Sequence, residues 1–266
     1  VGAGVVLDQL NDYLKPHGLW FGPDVATSSR ATLGGMIASN SSGARSRIYG
    51  TTVDHVLALE VVLADGTIAT VGKDHPDLPD HRIAADRLMQ QYAGVIRERL
   101  PDGLVKRWPG YGFDDYLRRM GDLTQLIGGS EGTLAGITSA VLNLVPLPPP
   151  TTKGLAIFFF TSVTEAMQAT VELLQLEPVA IEHIDRLLFD QTRGKLAFQA
   201  ARSLLRLDEE PCESLLLVEF YGDIDERFAM LEKRRIGLRQ FLCRDPKQQE
   251  LIWAMRKSGL TLVTAC

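Results

Sequence analysis

Hydrophobic positions follow two rhythms along the chain, one helical and one extended, and a long stretch near the start has neither. Leu7, Leu10 and Leu14 share one face of a short helix that ends near His17-Gly18, because side chains three and four apart lie on one side of a helix. Residues 57–63 and 67–71 are β-rich runs joined across Ala64-Asp65-Gly66, and Asp-Gly is a strong hairpin signal. Residues 74–104 are polar and mostly helical, with Leu88, Tyr92 and Val95 at helical spacing. Leu123, Leu126 and Ile127 predict another short helix opened by Asp122, a good N-cap residue. An alternating strand follows over 137–145.

Four prolines within 146–150 break this pattern and mark a domain border, since proline donates nothing to a β-ladder and stiffens the chain. Beyond them, 155–160 is a continuous apolar strand. Ser162 and Glu165 have capping-box spacing and open a helix through Leu174. Strands over 179–184 and 215–220 and a helix from Ile224 to about Gly237 complete a repeat of strand and helix. This is the pattern of an α+β lobe with helices on one face of a sheet. The expected division is 1–148 and 149–266.

Composition adds limits. The 266 residues are 45% hydrophobic and 23% charged, ordinary for a chain that buries a core. A net charge of −5 argues against a nucleic-acid partner, which would require a basic excess. No apolar run approaches the ~20 residues of a membrane span. Cys212, Cys243 and Cys266 are far apart, so neither a disulfide framework nor a metal site is expected. A cytoplasmic protein fits reduced thiols, with peripheral attachment to the inner membrane as the alternative. The chain opens on Val1 without an initiator Met and stops after an apolar run over 260–263, so it is read as an excerpt of a longer protein.

The stretch without rhythm carries the chemistry. From Ala26 to Ser46, 16 of 21 residues are Gly, Ala, Ser, Thr or Asn. Such a segment builds no core, but its backbone can approach a flat or anionic group closely. Thr32 is placed to cap a helix over 33–39, whose first N–H groups would be free for an anion, with Ser28 and Ser29 as further donors. A Ser/Gly-rich surface loop is the plainer alternative, but loops this long are uncommon unless functional or disordered, and Met36 and Ile37 argue against disorder. A second small-residue run, Gly128-Gly129-Ser130-Glu131-Gly132-Thr133-Leu134-Ala135-Gly136-Ile137, sits between a helix and a strand, where backbone N–H groups can form an anion-binding nest.

Together the two runs resemble a known family. Pro23-Asp24, A-T-L-G-G-M-I-A-S-N-S-S-G (31–43), Y-G-T-T-V-D-H-V-L (49–57), L-E-V-V-L-A-D-G (59–66) and G-S-E-G-T-L (129–134) follow one another as in the FAD-binding domain of the vanillyl-alcohol-oxidase and p-cresol-methylhydroxylase type. I-E-H-I-D-R-L (181–187), L-L-L-V-E-F-Y-G-D (215–223) and W-A-M-R-K-S-G-L (253–260) resemble the FAD-linked oxidase C-terminal domain. The resemblance covers nearly the whole chain. It implies the second lobe of the FAD-binding domain followed by part of the C-terminal domain, an antiparallel sheet with helices. Within the family the chain is similar to the D-lactate and D-2-hydroxyglutarate dehydrogenase branch, and to long bacterial members that carry an iron–sulfur module.

The resemblance implies FAD as cofactor, a 2-hydroxy acid as substrate, and an iron–sulfur or other carrier as electron acceptor. It carries flavin contacts onto Pro23, Asp24, Ser28, Thr32, Gly34 and Gly35, with Asn40, Gly43 and Gly50 at nearby turns. Glu131, Gly132, Thr133, Ala135 and Ile137 match the second flavin segment, where Ala135-Gly136 departs from the common Gly-Ile ending. Arg256 matches an arginine that grips a substrate carboxylate, work that suits a planar guanidinium; a solvated helix arginine is the alternative. Leu260 stands where a hydroxyl would serve, which leaves the substrate open. The family's pyrophosphate loop and its histidine base match nothing between Val1 and Cys266, so no catalytic base is assigned. His183 lies beside Glu182 and near Asp185 and is read as structural. A non-redox flavoenzyme of the alkylglycerone-phosphate-synthase kind and a non-catalytic FAD-binding scaffold are the alternatives.

Overall fold

The structure, a computed structural model, describes residues 1–100 and 110–258. It divides into two compact units, Val1–Leu147 and Pro148–Cys266.

In the first unit, helix α1 (Leu7–Leu14) runs into a 3-10 turn, and Gly18 in the left-handed region (φ 68) leads to the short strand β1 (Leu19–Trp20). Two short helices follow, α2 (Leu33–Ala38) and α3 (Ser46–Tyr49). The strands β2 (Val56–Val62) and β3 (Ile68–Gly72) form the expected hairpin, with Val62 opposite Ile68. Asp65 Oδ1 accepts the Thr67 N–H at 2.9 Å and locks the turn. Next come β4 (His75–Pro76), the long helix α4 (Pro79–Arg99), the short helices α5 (Phe113–Arg118) and α6 (Thr124–Ile127), and the strands β5 (Gly136–Leu142) and β6 (Val145–Pro146). The antiparallel sheet has the order β4-β3-β2-β5, and β6 pairs with β1.

Three expectations change in this unit. The strand predicted over 137–145 ends at Leu142, because Asn143 N–H turns to the His55 carbonyl (2.8 Å) and β6 joins β1 instead. The helix over 74–104 exists as α4, but Leu88, Tyr92 and Val95 are exposed, whereas Ala85, Met89 and Ile96 face the core. Residues 101–104 lie outside the described residues. The N-cap of α6 is Leu123 rather than Asp122, because the helix begins only at Thr124; Asp122 Oδ1, one residue further out, accepts from Thr124 N–H (3.1 Å) and Thr124 Oγ1 (2.6 Å).

Two apolar clusters hold this unit. One joins Leu59 and Val61 of β2 with Met89, Tyr116 and Ile127; the other gathers Leu7, Phe21, Val25, Leu33 and Met36. The helix α2 belongs to both, since Ile37 sits in the first cluster and Leu33 and Met36 in the second. Three buried side chains therefore pin a segment that otherwise has almost no volume to bury.

The second unit alternates strand and helix: β7 (Lys153–Phe160), α7 (Val163–Leu174), β8 (Ala180–Asp185), α8 (Arg186–Asp190), α9 (Leu196–Leu204), β9 (Ser214–Tyr221), α10 (Ile224–Glu232), β10 (Arg239–Cys243) and α11 (Pro246–Lys257). Its antiparallel sheet has the order β10-β7-β9-β8. Ser162 Oγ accepts the Glu165 N–H (3.2 Å), as the capping pattern requires, while Glu165 reaches back to the Thr161 N–H (3.0 Å). Helices cover both faces rather than the one expected. Phe158, Phe160, Leu216 and Phe220 pack with Ala166 of α7 and Phe228 of α10. Ile157, Phe159, Leu215 and Leu217 pack with Ala201 of α9 and Ile252 and Met255 of α11. Runs as apolar as 155–160 and 215–220 have no polar face to offer water, which requires cover on both sides.

Candidate functional site

The small-residue segment 23–50 is held in place by its own backbone and by polar side chains. Thr32 caps α2, its Oγ1 accepting the Gly35 N–H at 3.4 Å. Here one expectation fails. The Leu33 N–H donates to Val5 O (2.9 Å) and the Gly34 N–H to Ala3 O (2.8 Å), so with Gly35 capped the first turn of α2 offers no free donors to an anion. Gly34 is required by its own chain: an added Cβ would lie 2.7 Å from Ala3 Cβ. Residues 1–3 run beside β5, with Ala3 N–H on Thr138 O at 2.9 Å.

At Pro23-Asp24 the buried proline precedes a carboxylate engaged by Arg45, which donates its backbone N–H to Asp24 Oδ1 (3.2 Å) and pairs Nη1 with Oδ2. Gly43 lies against the same residue, and a Cβ there would come within 2.0 Å of the Asp24 carbonyl oxygen. Asn40, in the left-handed region (φ 45), accepts the Val53 N–H at 3.0 Å through Oδ1. Thr52 donates both its N–H (2.9 Å) and its hydroxyl (2.7 Å) to Ser41 O. Gly50 closes α3, its N–H on Ser46 O at 2.8 Å. Ser28 is buried, and its carbonyl accepts from Asp8 N–H at 3.1 Å.

The second segment is bonded directly to the first. Gly129 N–H donates to Ile37 O (3.0 Å) and Glu131 N–H to Ala38 O (2.8 Å). Glu131 takes a positive φ of 52. Thr133 Oγ1 donates to Ser130 O (2.6 Å) and shares a 2.7 Å hydrogen bond with Tyr111 OH. Gly132 and Leu134 are exposed, Ala135 is buried, and Ile137 enters β5 opposite Val61. Among the described residues, the backbone N–H groups of Ser42 and Gly43 in one segment and of Gly132 and Leu134 in the other donate to no protein acceptor. Such groups suit a phosphate or a ring carbonyl. Beside this loop lies a cavity of about 430 Å³ walled by Leu88, Met89, Tyr111, Phe113, Leu134 and Ala135. Its walls are almost wholly apolar, so it is no phosphate site.

In the second unit Arg256 stands in the last turn of α11, and its Nη2 contacts Glu182 Oε2 at 2.5 Å. His183 shares a 2.7 Å hydrogen bond between Nε2 and Ser214 Oγ. Burial holds its imidazole below the ordinary histidine range; Asp185 opposes this and the charge of Arg256 adds to it. Asp185 itself caps α8, accepting the Leu188 N–H at 2.8 Å. Leu260 lies outside the described residues. Among the described residues no group of His, Cys, Asp and Glu could hold a metal ion, and no helix is long and apolar enough to cross a membrane.

Sequence reasoning passed over Arg45, Thr52 and Tyr111, which carry much of the site's fixation. A polar residue in a polar run gives no periodic signal, and only the fold places Arg45 on Asp24.

Comparison with known proteins follows this division. Residues 1–72 match the family described as FAD binding domain, and residues 149–265 the family described as FAD linked oxidases, C-terminal domain. D-2-hydroxyglutarate dehydrogenase of Escherichia coli (strain K12) is 32% identical over 292 residues, covering 99% of this chain and 28% of that protein. D-lactate dehydrogenase of Archaeoglobus fulgidus is 37% identical over 186 residues, covering 70% of this chain and 32% of that protein. The chain thus spans under a third of the length of these relatives. A solved structure of alkyldihydroxyacetonephosphate synthase shares the fold, with a TM-score of 0.61 and 22% identity over 98% of this chain and 42% of that one. The chain carries the FAD binding domain over residues 1–72 and the C-terminal domain of FAD linked oxidases over residues 149–265, and its cofactor is FAD.

Proposed function

We propose that the chain forms the flavin-holding and substrate-holding part of an FAD-dependent dehydrogenase that oxidises a 2-hydroxy acid of the D-lactate or D-2-hydroxyglutarate kind. The observation that carries this reading is the direct bonding of Gly129 and Glu131 to Ile37 and Ala38, which brings two donor-rich segments together. Likeness to two dehydrogenases of that substrate class supports the choice of reaction.

Residues 1–148 are assigned to the FAD-binding domain and 149–266 to the substrate domain. When bound, FAD supplies the acceptor for the hydride equivalent that leaves the α-carbon. Pro23, Asp24, Ser28, Thr32, Gly34, Gly35, Asn40, Gly43 and Gly50 shape one side of its site. Glu131, Gly132, Thr133, Ala135 and Ile137 shape the other. Within this set, the free donors at Gly43 and Gly132 bind, while Asp24, Thr32, Gly34 and Asn40 set the backbone path. Arg256 holds the substrate carboxylate, and His183 is assigned a structural role, with its Nε2 hydrogen-bonded to Ser214 Oγ. Electrons then pass to an iron–sulfur centre or another carrier.

The test is anaerobic addition of D-lactate or D-2-hydroxyglutarate to the full-length flavin-loaded protein. Bleaching of the visible flavin band by one of them is expected. Retained flavin that neither acid bleaches overturns the reading.

A further inference from the structure

Two arginines of the second unit show what a finished structural guanidinium looks like here and what an unfinished one looks like. Arg202 is buried and uses all three nitrogens: Nη1 donates to Phe189 O (2.5 Å) and Thr192 Oγ1 (2.9 Å), Nε to Asp208 Oδ2 (3.1 Å), and Nη2 to Asp208 Oδ1 (2.5 Å). Arg256 is the opposite case. Its Nη2 meets Glu182, while among the described residues Nη1 has no partner and the buried Nε has none either. A buried N–H left unmade costs free energy, which an arriving acceptor would recover.

Glu182 is the group that holds it. The residue sits inside β8, hydrogen-bonded in register opposite Leu217 of β9, so its backbone is fixed by the sheet. Arg256 is near the end of a helix, where the chain has fewer constraints. The pair is half-buried, with side-chain exposures of 30% for Arg256 and 20% for Glu182. The contact joins one carboxylate oxygen to one guanidinium nitrogen, which restrains where the head group lies and leaves its Nη1 edge for a second carboxylate.

We propose that Glu182 is a positioning residue for Arg256, orienting the guanidinium toward the carboxylate of the 2-hydroxy acid. This rests on the assignment of Arg256 to the substrate. Glu182 itself does not touch the substrate. It acts by removing the rotamer freedom that a long side chain otherwise loses on binding, a cost corresponding to about two- to twelvefold in affinity.

The experiment compares two uncharged replacements of nearly equal length, so that loss of charge cancels. Glu182→Gln keeps an acceptor for Nη2 and Glu182→Met does not. Binding of oxalate, a small unreactive carboxylate, to the full-length flavin-loaded protein is measured by calorimetry, with Arg256→Met as reference. The Met variant at 182 is expected to bind oxalate about fivefold more weakly than the Gln variant, and Arg256→Met to lose binding. Equal affinities for the Gln and Met variants, with binding still lost in Arg256→Met, overturn the role of Glu182 alone. Unchanged binding in Arg256→Met overturns the assignment beneath it. Should Glu182→Met not fold, Glu182→Ala takes its place against Glu182→Gln with the same expectation.

Discussion

The segment 23–50 and the strand pair β7–β9 are held by opposite means. In β7 and β9 the residues from Leu155 to Phe160 and from Leu215 to Val218 are at most 1% exposed, and the contacts are side chain against side chain. In 23–50 apolar anchors are few, and the tightest approaches are made by glycines, Gly43 against the Asp24 carbonyl and Gly34 against Ala3. The first arrangement tolerates a change of shape but not of volume. The second leaves no room for added volume at Gly34 and Gly43, where a new Cβ meets its neighbours well inside contact distance. A binding surface built from main-chain donors needs the second kind of order.

This contrast can be broken in a graded way. The largest effect is expected for Phe158→Ala, which empties a fully buried ring site and should lower unfolding free energy by about 3–5 kcal/mol. Flavin content per folded molecule should stay unchanged, and loss of flavin from the folded fraction would show that the two regions are not separable. Gly43→Ala should act the other way. Its new Cβ falls 2.0 Å from Asp24 O, so flavin retention on gel filtration should drop at least about tenfold, the size of a 1.4 kcal/mol perturbation. Asn40→Ala strands the Val53 N–H, which should cost about 1–3 kcal/mol and weaken flavin retention; a stability loss with full retention would place Asn40 outside the site's framework. Thr32→Ala removes only a cap and should cost about 1 kcal/mol in chemical denaturation.

The smallest effect concerns pH. His183 has a folded pKa lowered by burial, so the unfolded chain binds its proton first as pH falls. Stability from this group is complete above the unfolded value of about 6.5 and declines as pH drops below it toward the folded value. Burial is the main cause, with the charge of Asp185 opposing it and that of Arg256 adding to it. His183→Gln should flatten the acid limb of a stability–pH curve, and an unchanged limb would show that another group causes it.

Periodicity revealed most elements of both units because their cores are made of repeating side chains. It failed where two apolar stripes compete. Leu88, Tyr92 and Val95 repeat as well as Ala85, Met89 and Ile96 do, and spacing alone does not say which stripe meets the sheet. It also missed β10, whose Arg239 and Gln240 leave only the short apolar run Phe241, Leu242 and Cys243 as a signal. The candidate site was legible as composition, a run of small residues, and through its resemblance to a family. Its wiring was not, because a carbonyl that accepts a distant N–H leaves no mark on the identity of the residue that bears it. The loss of free donors at α2 is the clearest instance: Ala3 and Val5 occupy them, and no property of alanine or valine announces it.

The bonds from Gly129 to Ile37 and from Glu131 to Ala38 have a consequence for how the site comes into being. They close a loop of about 90 residues, and closure entropy grows only slowly with such length but is charged before any contact rewards it. Contacts of this range slow folding. Local pairing closes shorter loops at lower entropic cost, so the two halves of the proposed flavin surface are expected to meet after the hairpin β2–β3 and the helix α4 between them. Lengthening the chain at the exposed Asp65-Gly66 turn should leave the finished surface intact and slow its appearance, so that cofactor capture lags behind the recovery of secondary structure.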